Sequence, residues 1–259
     1  MVQWRRRLHQ IPETGLDLPQ TAAFVREKLD SFQIPYDTLV NGNCIVAHLG
    51  KGEGCLLLRA DMDALPMKEE TGLPFASQND NMHACGHDLH AAALLAAAKI
   101  LKSHEEDLKC AVKLMFQPAE EIFAGARSAI GEGVLENPQV DAAMVIHVDS
   151  TRATGNIAYG TQCNASVYGF KITLKGKGTH GAMPQDGIDS INAGVHSMAS
   201  EDFAFVSERV PSSCFMIGAK PAEVQFPWAH HNPRVCFSED AIPIAAAVYA
   251  CAALSWQRQ

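Results

Sequence analysis

Three segments of this chain share one design, and that design constrains the fold more than any other feature. Residues 54–67 (GCLLLRADMDALPM) are an apolar run that stops at two aspartates. Residues 110–122 (CAVKLMFQPAEEI) are an apolar run that stops at Gln-Pro and two glutamates, and residues 141–151 (DAAMVIHVDST) are one that stops at a histidine. Short continuous apolar runs ending abruptly in polar residues are how strands buried on both faces of a parallel sheet read. Between them, Asp88–Ser103 and Gly125–Glu136 have the pattern of crossover helices. The expected class is therefore α/β, a mostly parallel central sheet with helices on both faces. In open sheets of this kind ligands sit outside the carboxyl ends of the strands. Polar residues fall at those ends all three times, which is the first functional signal.

The remaining segments fit around this sheet. Val2–Leu29 reads as two helical pieces around an Ile11–Glu13 break, the second spanning Thr21–Phe32, and Cys44–Leu49 is a strand after Asn-Gly. Val167–Leu174 alternates like a strand, leads into the loop GKGTHGAMP and then into a short helix, Asp189–Met198. From Ser200 the α/β character returns, closing with the Ala-rich helix Ile242–Trp256. The expected organisation is a unit in two parts, residues 1–164 and 200–259, around an insertion at 165–199 that is shorter than the ~50 residues of an independent domain.

Composition excludes several function classes. With 21 Lys+Arg against 29 Asp+Glu the formal charge is −8, and aromatics are 7%, which disfavours a nucleic-acid surface. The opening MVQWRRRLHQIPE has no apolar stretch of signal-peptide length, and His90–Leu101 is too short to span a bilayer, so no membrane role is expected. The eight cysteines are scattered without a CxxC pair, which fits buried free thiols and a cytoplasmic protein.

Cys85 stands apart because of its neighbours. NMHACGHDLHAA packs His83, Cys85, His87, Asp88 and His90 into eight positions just before a helix. Imidazole and thiolate are preferred ligands of zinc and related ions. The competing reading is chance clustering of capping and surface histidines. Asp61 and Asp63 alternate at the end of a strand and so face one way, with Arg59 on the same face. They suit either metal work, as ligand or as anchor of a ligating imidazole, or turn stabilisation. Glu120 and Glu121 are adjacent, so outside a helix they point apart. One can bind a metal while the other takes a proton from a water that the metal has acidified; a solvated acidic turn is the plainer alternative. His147 ends an apolar run, where a lone histidine is more often a satisfied core residue than a ligand. His230 and His231 precede Asn232-Pro233, and His180 sits in a Gly-rich loop, where polar residues more often carry function.

Taken in order, DMDALP, HACGHD, QPAEE, His147, GTHGAMP, SEDF and HNP resemble the M20 metallopeptidase/amidohydrolase family. The nearest branch is the one holding N-acyl-amino-acid amidohydrolases, hippurate hydrolases and auxin-conjugate hydrolases. The resemblance covers nearly the whole chain and implies a zinc-exopeptidase-like catalytic fold interrupted by a partial α/β lid. It implies two divalent ions, Zn²⁺ or Mn²⁺ with Co²⁺ or Ni²⁺ as substitutes, held by Cys85, His87, Glu121, His147 and His231. It also implies Glu120 as general base, Asp63 as the acid that orients a ligand, and His180 as the lid histidine that stabilises the oxyanion, often across a homodimer interface. The substrate implied is a small N-acyl amino acid. The departure is in the lid. His196-Ser197-Met198 runs straight into Ala199 and SEDF, so most of the family's inserted domain has no counterpart, which works against dimerisation through the lid edge. The expected activity is metal-dependent amide hydrolysis. The alternatives are a dipeptidase of the same superfamily and a catalytically impaired metal-binding remnant.

Overall fold

The computed structural model describes residues 1–160, 201–225 and 227–257. Seven strands form one sheet: β1 (Tyr36–Leu39), β2 (Cys44–Leu49), β3 (Cys55–Asp61), β4 (Ala111–Gln117), β5 (Ala142–Ala153), β6 (Ile157–Gly160) and β7 (Ser212–Lys220). Their order is β1-β2-β4-β3-β5-β7-β6. The four central strands β4, β3, β5 and β7 are mutually parallel, while β2 and β6 run against their neighbours. The three apolar runs are thus adjacent central strands.

Period-two alternation divides β3 between two cores. Leu56, Leu58 and Ala60 join the apolar cluster on one face, and Cys55 and Leu57 join the cluster on the other. Each fully buried leucine contributes about 1.5–3 kcal/mol of apolar burial. The first face is covered by α1 (Val2–His9), α2 (Pro19–Ser31), α3 (His87–Ser103) and α6 (Ala241–Ser255). The second is covered by α4 (Gly125–Gly131) and the single turn α5 (Ala204–Ser207). Helices α3 and α6 pack against each other, and buried alanines line both.

Two helix boundaries differ from the sequence reading. The second starts at Pro19, a residue whose fixed φ and missing N–H suit a first helical turn. The helix predicted over Gly125–Glu136 stops at Gly131, and Gly133 turns back with φ +86°. The predicted insertion over 165–199, with its Val167–Leu174 strand and His180, lies outside the described residues. After that segment the chain re-enters the same sheet, β7 lying between β5 and β6.

From β3 the chain crosses through α3 to β4 on one side. From β4 it crosses back through α4 to β5 on the other side of β3. Crossovers of one hand moving in opposite directions put their helices on opposite faces. This puts the carboxyl ends of β4, β3 and β5 beside the switch point, the place where such sheets form a ligand crevice. Among the described residues no helix is long and apolar enough to cross a membrane.

Candidate metal centre

The floor of the crevice is built around Arg59, near the end of β3 and fully buried. Its Nε donates to Gln117 Oε1 at 2.9 Å and its Nη1 to Asp61 Oδ2 at 2.7 Å. Nη2 donates to Asp202 Oδ1 at 2.8 Å and lies 3.0 Å from Glu201 Oε1. Gln117 is the parallel register partner of Asp61, so the two adjacent strand ends present their polar groups side by side. Asp202 also takes the Ala126 amide at 2.9 Å, at the start of α4. Burial works against the charge on Asp61, but Arg59, His87 and His90 outweigh it and hold the carboxyl well below its usual range. Burial pushes Asp202 up to about 7, with Arg59 pulling the other way and Glu201 adding to the rise.

Above this floor the turn after β4 carries the two glutamates. Asp63 fixes the turn: its Oδ1 accepts the Glu120 amide at 3.0 Å and its Oδ2 the Glu121 amide at 3.1 Å. Ala119 takes a left-handed conformation, φ +57°. A Cβ on Gly125 would lie 1.7 Å from the Pro118 carbonyl oxygen, so the turn closes only over glycine. The carboxylates part as adjacent residues outside a helix should. Glu120 leans toward the floor, with Oε1 accepting the Asp202 amide at 3.3 Å. Glu121 leans outward, with Oε2 3.4 Å from His231 Nε2. Burial pushes the Glu120 carboxyl up to about 10, and Glu201 beside it adds to the shift.

The turn into α3 brings in Cys85 and His87. Gly86 between them has φ +85°, and a Cβ there would meet Val148 Cγ2 at 2.5 Å, so glycine is required on both counts. His87 donates from Nδ1 to the Asp63 carbonyl at 2.9 Å, which leaves Nε2 with its lone pair facing the crevice. That Nε2 is buried and has no hydrogen-bond partner, and the same is true of Glu121 Oε1, 3.8 Å away. Asp61 Oδ2 lies 3.6 Å from the same nitrogen. His147 on β5 donates from Nδ1 to the Val148 carbonyl at 2.7 Å, again freeing Nε2, which stands 3.5 Å from Cys85 Sγ. His230 Nδ1 is also 3.5 Å from that sulfur. Burial and His90 push His147 down to about 4, against the pull of Asp61 and Glu201; burial and His147 push His230 down to about 3.

The donor set fits a metal. A thiolate sulfur at ~2.3 Å and an imidazole nitrogen at ~2.0 Å on one tetrahedral ion stand roughly 3.5 Å apart. The Cys85–His147 separation matches this. Unpartnered buried acceptors such as His87 Nε2 and Glu121 Oε1 are otherwise costly, on the order of 1–3 kcal/mol each. Cys85 belongs to two ligand-capable groups, one with His147 and His230 and one with Glu121 and His231. It therefore sits where one thiolate can serve two ions.

All five expected ligand positions, Cys85, His87, Glu121, His147 and His231, converge here, together with Glu120 and Asp63. His231 is the most exposed of them and is held in a left-handed conformation at φ +62°. Asp63 acts on the site through hydrogen bonds to the Glu120–Glu121 amides and through its carbonyl to His87. His180 is outside the described residues. Three participants have no role assigned from the sequence: His230, Glu201 and Asp202. The adjacency of His230 to His231 and the acidic pair in SEDF were the only signals.

An α/β sheet with a nest of thiolate, imidazole and carboxylate donors at its carboxyl edge defines a class of metal-site proteins. Residues 57–255 match the model of Peptidase family M20/M25/M40, and the chain belongs to this family. It is 44% identical over 193 residues to an N-acetyl-L-cysteine deacetylase of Bacillus subtilis (strain 168), covering 72% of this chain and 45% of that one. It is 41% identical over 196 residues to IAA-amino acid hydrolase ILR1-like 5 of Arabidopsis thaliana, covering 74% of this chain and 45% of the relative. The chain thus matches less than half the length of each. In fold it resembles the crystal structure of a Bacillus subtilis dinuclear metal binding peptidase of the M20 family. The TM-score is 0.80 at 24% identity, with 98% of this chain and 96% of that one covered.

Proposed function

We propose that this chain is a metal-dependent amidohydrolase that cleaves the amide bond of N-acyl amino acids, acetyl, benzoyl or similar. One observation carries the reading: the unpartnered His87 Nε2 and Glu121 Oε1 face each other beside Cys85 and His147 at ligand spacing, with Glu120 alongside. Cys85, His87, Glu121, His147 and His231 would hold two ions. A mixed thiolate, imidazole and carboxylate set favours Zn²⁺, with Mn²⁺, Co²⁺ or Ni²⁺ as substitutes. Such ions, when bound, polarise an amide carbonyl and lower the pKa of water.

The chain's own residues then supply the proton transfers. Glu120, steadied by the Asp202 amide, would take a proton from the attacking water as its oxygen bonds to the acyl carbon, the charge of the bound ions offsetting the burial that otherwise keeps its carboxyl protonated. The same carboxyl returns that proton to the amine nitrogen as the carbon–nitrogen bond breaks. Asp63 holds both glutamates and the His87 ring in register for this exchange. His180 is assigned the donor to the carbonyl oxygen, on the family resemblance. Residues 1–164 and 200–259 make the catalytic unit, and 165–199 stand in place of the inserted lid. The names of the two relatives support an amide on an amino acid as the bond class, and the free cysteines among the described residues support a cytoplasmic setting.

Glu120→Gln tests the assignment. It should abolish hydrolysis of N-acetyl and N-benzoyl amino acids while two metal equivalents stay bound. Retained turnover would remove Glu120 from the role. A dipeptide in the same assay separates a dipeptidase. The short segment at 165–199 in place of the lid favours one second reading, a metal-binding chain without turnover. Two bound ions with no hydrolysis of any of these substrates would establish it.

A further inference from the structure

Four of the histidines at this site, His87, His90, His147 and His230, are divided by where their ring protons sit. A ligating imidazole must offer a lone pair to the metal, so its other nitrogen carries the proton and donates it to an acceptor. His87 and His147 satisfy this, their Nδ1 protons going to the carbonyls of Asp63 and Val148. His90 and His230 do the opposite. The Val148 amide donates to His90 Nε2 at 2.9 Å, and the Ser150 amide donates to His230 Nε2 at 3.1 Å. A ring that accepts at Nε2 has its proton on Nδ1. For His90 that proton goes to Asp61; for His230 it points at Cys85 Sγ, 3.5 Å away. His230 could ligate through Nδ1 only as an imidazolate. The edge of β5 thus sorts the rings, one carbonyl facing His147 and two amides facing His90 and His230. Phe237 packs edge-on against the His230 ring, with centroids 5.2 Å apart, and fixes its plane.

We infer that His230 is a positioning residue that donates an N–H···S hydrogen bond to the Cys85 thiolate, oriented by the Ser150 amide, and that it is not a metal ligand. The inference rests on the metal-site reading above and deepens it. A Cys85 thiolate holding metal in this buried site would carry charge that a nearby N–H can take up, and the bond would also fix the direction of the sulfur lone pairs.

The test uses the full chain loaded with Co²⁺ and reads the near-ultraviolet thiolate-to-cobalt charge-transfer band, together with metal retention against a chromophoric chelator. His230→Ala should move the band to longer wavelength, because the sulfur loses a donor, and should weaken metal retention about 10–100-fold. His230→Asn, whose side-chain NH₂ takes the place of Nδ1–H, should restore much of both. An unchanged band and retention in His230→Ala would overturn the inference. So would loss of one metal equivalent in both variants, which would make His230 a ligand. A wild-type protein with no sulfur-to-metal band, indistinguishable from Cys85→Ser, would overturn the metal-site reading and this inference together. That outcome is told apart from the others because it needs no His230 variant.

Discussion

The floor and the rim of the crevice are made from the same kinds of side chain, yet they differ in how their polar atoms are satisfied. On the floor, every guanidinium nitrogen of Arg59 lies within 3.0 Å of an acceptor, and Asp61, Gln117 and Asp202 are bonded in turn. On the rim, His87 Nε2 and Glu121 Oε1 are buried without partners, and the closest approaches around Cys85 are 3.5 Å. The contrast separates two jobs. A saturated buried network is completed by folding and holds geometry. A buried set with unspent lone pairs is completed only when something else binds.

Breaking the floor should therefore cost stability first. Arg59→Met would leave Asp61, Asp202 and Glu201 as buried carboxylates without their cation. The expected loss is about 3–5 kcal/mol in unfolding free energy, read from urea denaturation. Adding Asp202→Asn should recover part of it, because the two changes touch one network. A loss below ~1 kcal/mol in the single variant would mean that Arg59 does not organise the floor. Breaking the rim should instead act through metal. Stripping the ions with a chelator should lower the melting temperature, corresponding to about 2.7 kcal/mol when free metal had stood at 100 times its dissociation constant. A melting temperature that chelation leaves unmoved would sink the idea that the rim waits for a ligand.

The sequence showed the rim better than the floor, for a physical reason. Metal-capable side chains cluster in short motifs because a turn after a strand delivers neighbouring residues to one point. Cys85 with His87, and Glu120 with Glu121, are visible on the page for that reason. The strands were visible because burial on both faces leaves no polar position except at their ends. The floor is assembled across the chain: Arg59 and Asp202 are 143 residues apart, and no local pattern links them. The difference between His147 and His230 is harder still. It depends on whether an amide or a carbonyl of β5 meets the ring, and side-chain identity does not encode that. The end of α4 at Gly131 is marked in the sequence by Gly131 and Gly133.

A smaller effect is expected where α6 meets the floor. The Tyr249 hydroxyl donates to the Arg59 carbonyl and accepts the Ile146 amide at 3.0 Å, in full burial. Tyr249→Phe leaves both backbone groups without a partner, so about 1–3 kcal/mol of stability should be lost. Metal stoichiometry should stay the same, since the hydroxyl reaches none of the rim. A variant that lost metal while keeping its unfolding free energy would place Tyr249 in the rim's support and blur the two layers.

The smallest expected effect tests whether the outer rim is set by backbone or by side chains. Arg234 Nε pairs with Glu70 Oε2 at 3.0 Å, but both side chains are more than half exposed. Exposed pairs of this kind contribute about 0–1 kcal/mol. The same two loops are also joined by the Glu70 amide donating to the Pro233 carbonyl at 2.8 Å, and the His231 amide donates to the Ala84 carbonyl at 3.0 Å. These main-chain bonds hold the His231 loop against the turn that carries Cys85, so removing the ion pair should leave the loop in place. Arg234→Ala should change stability by no more than that ~1 kcal/mol and leave metal affinity where it was. A tenfold fall in metal affinity, measured by chelator competition, would show that the ion pair positions His231 and that the rim, like the floor, depends on a side-chain network.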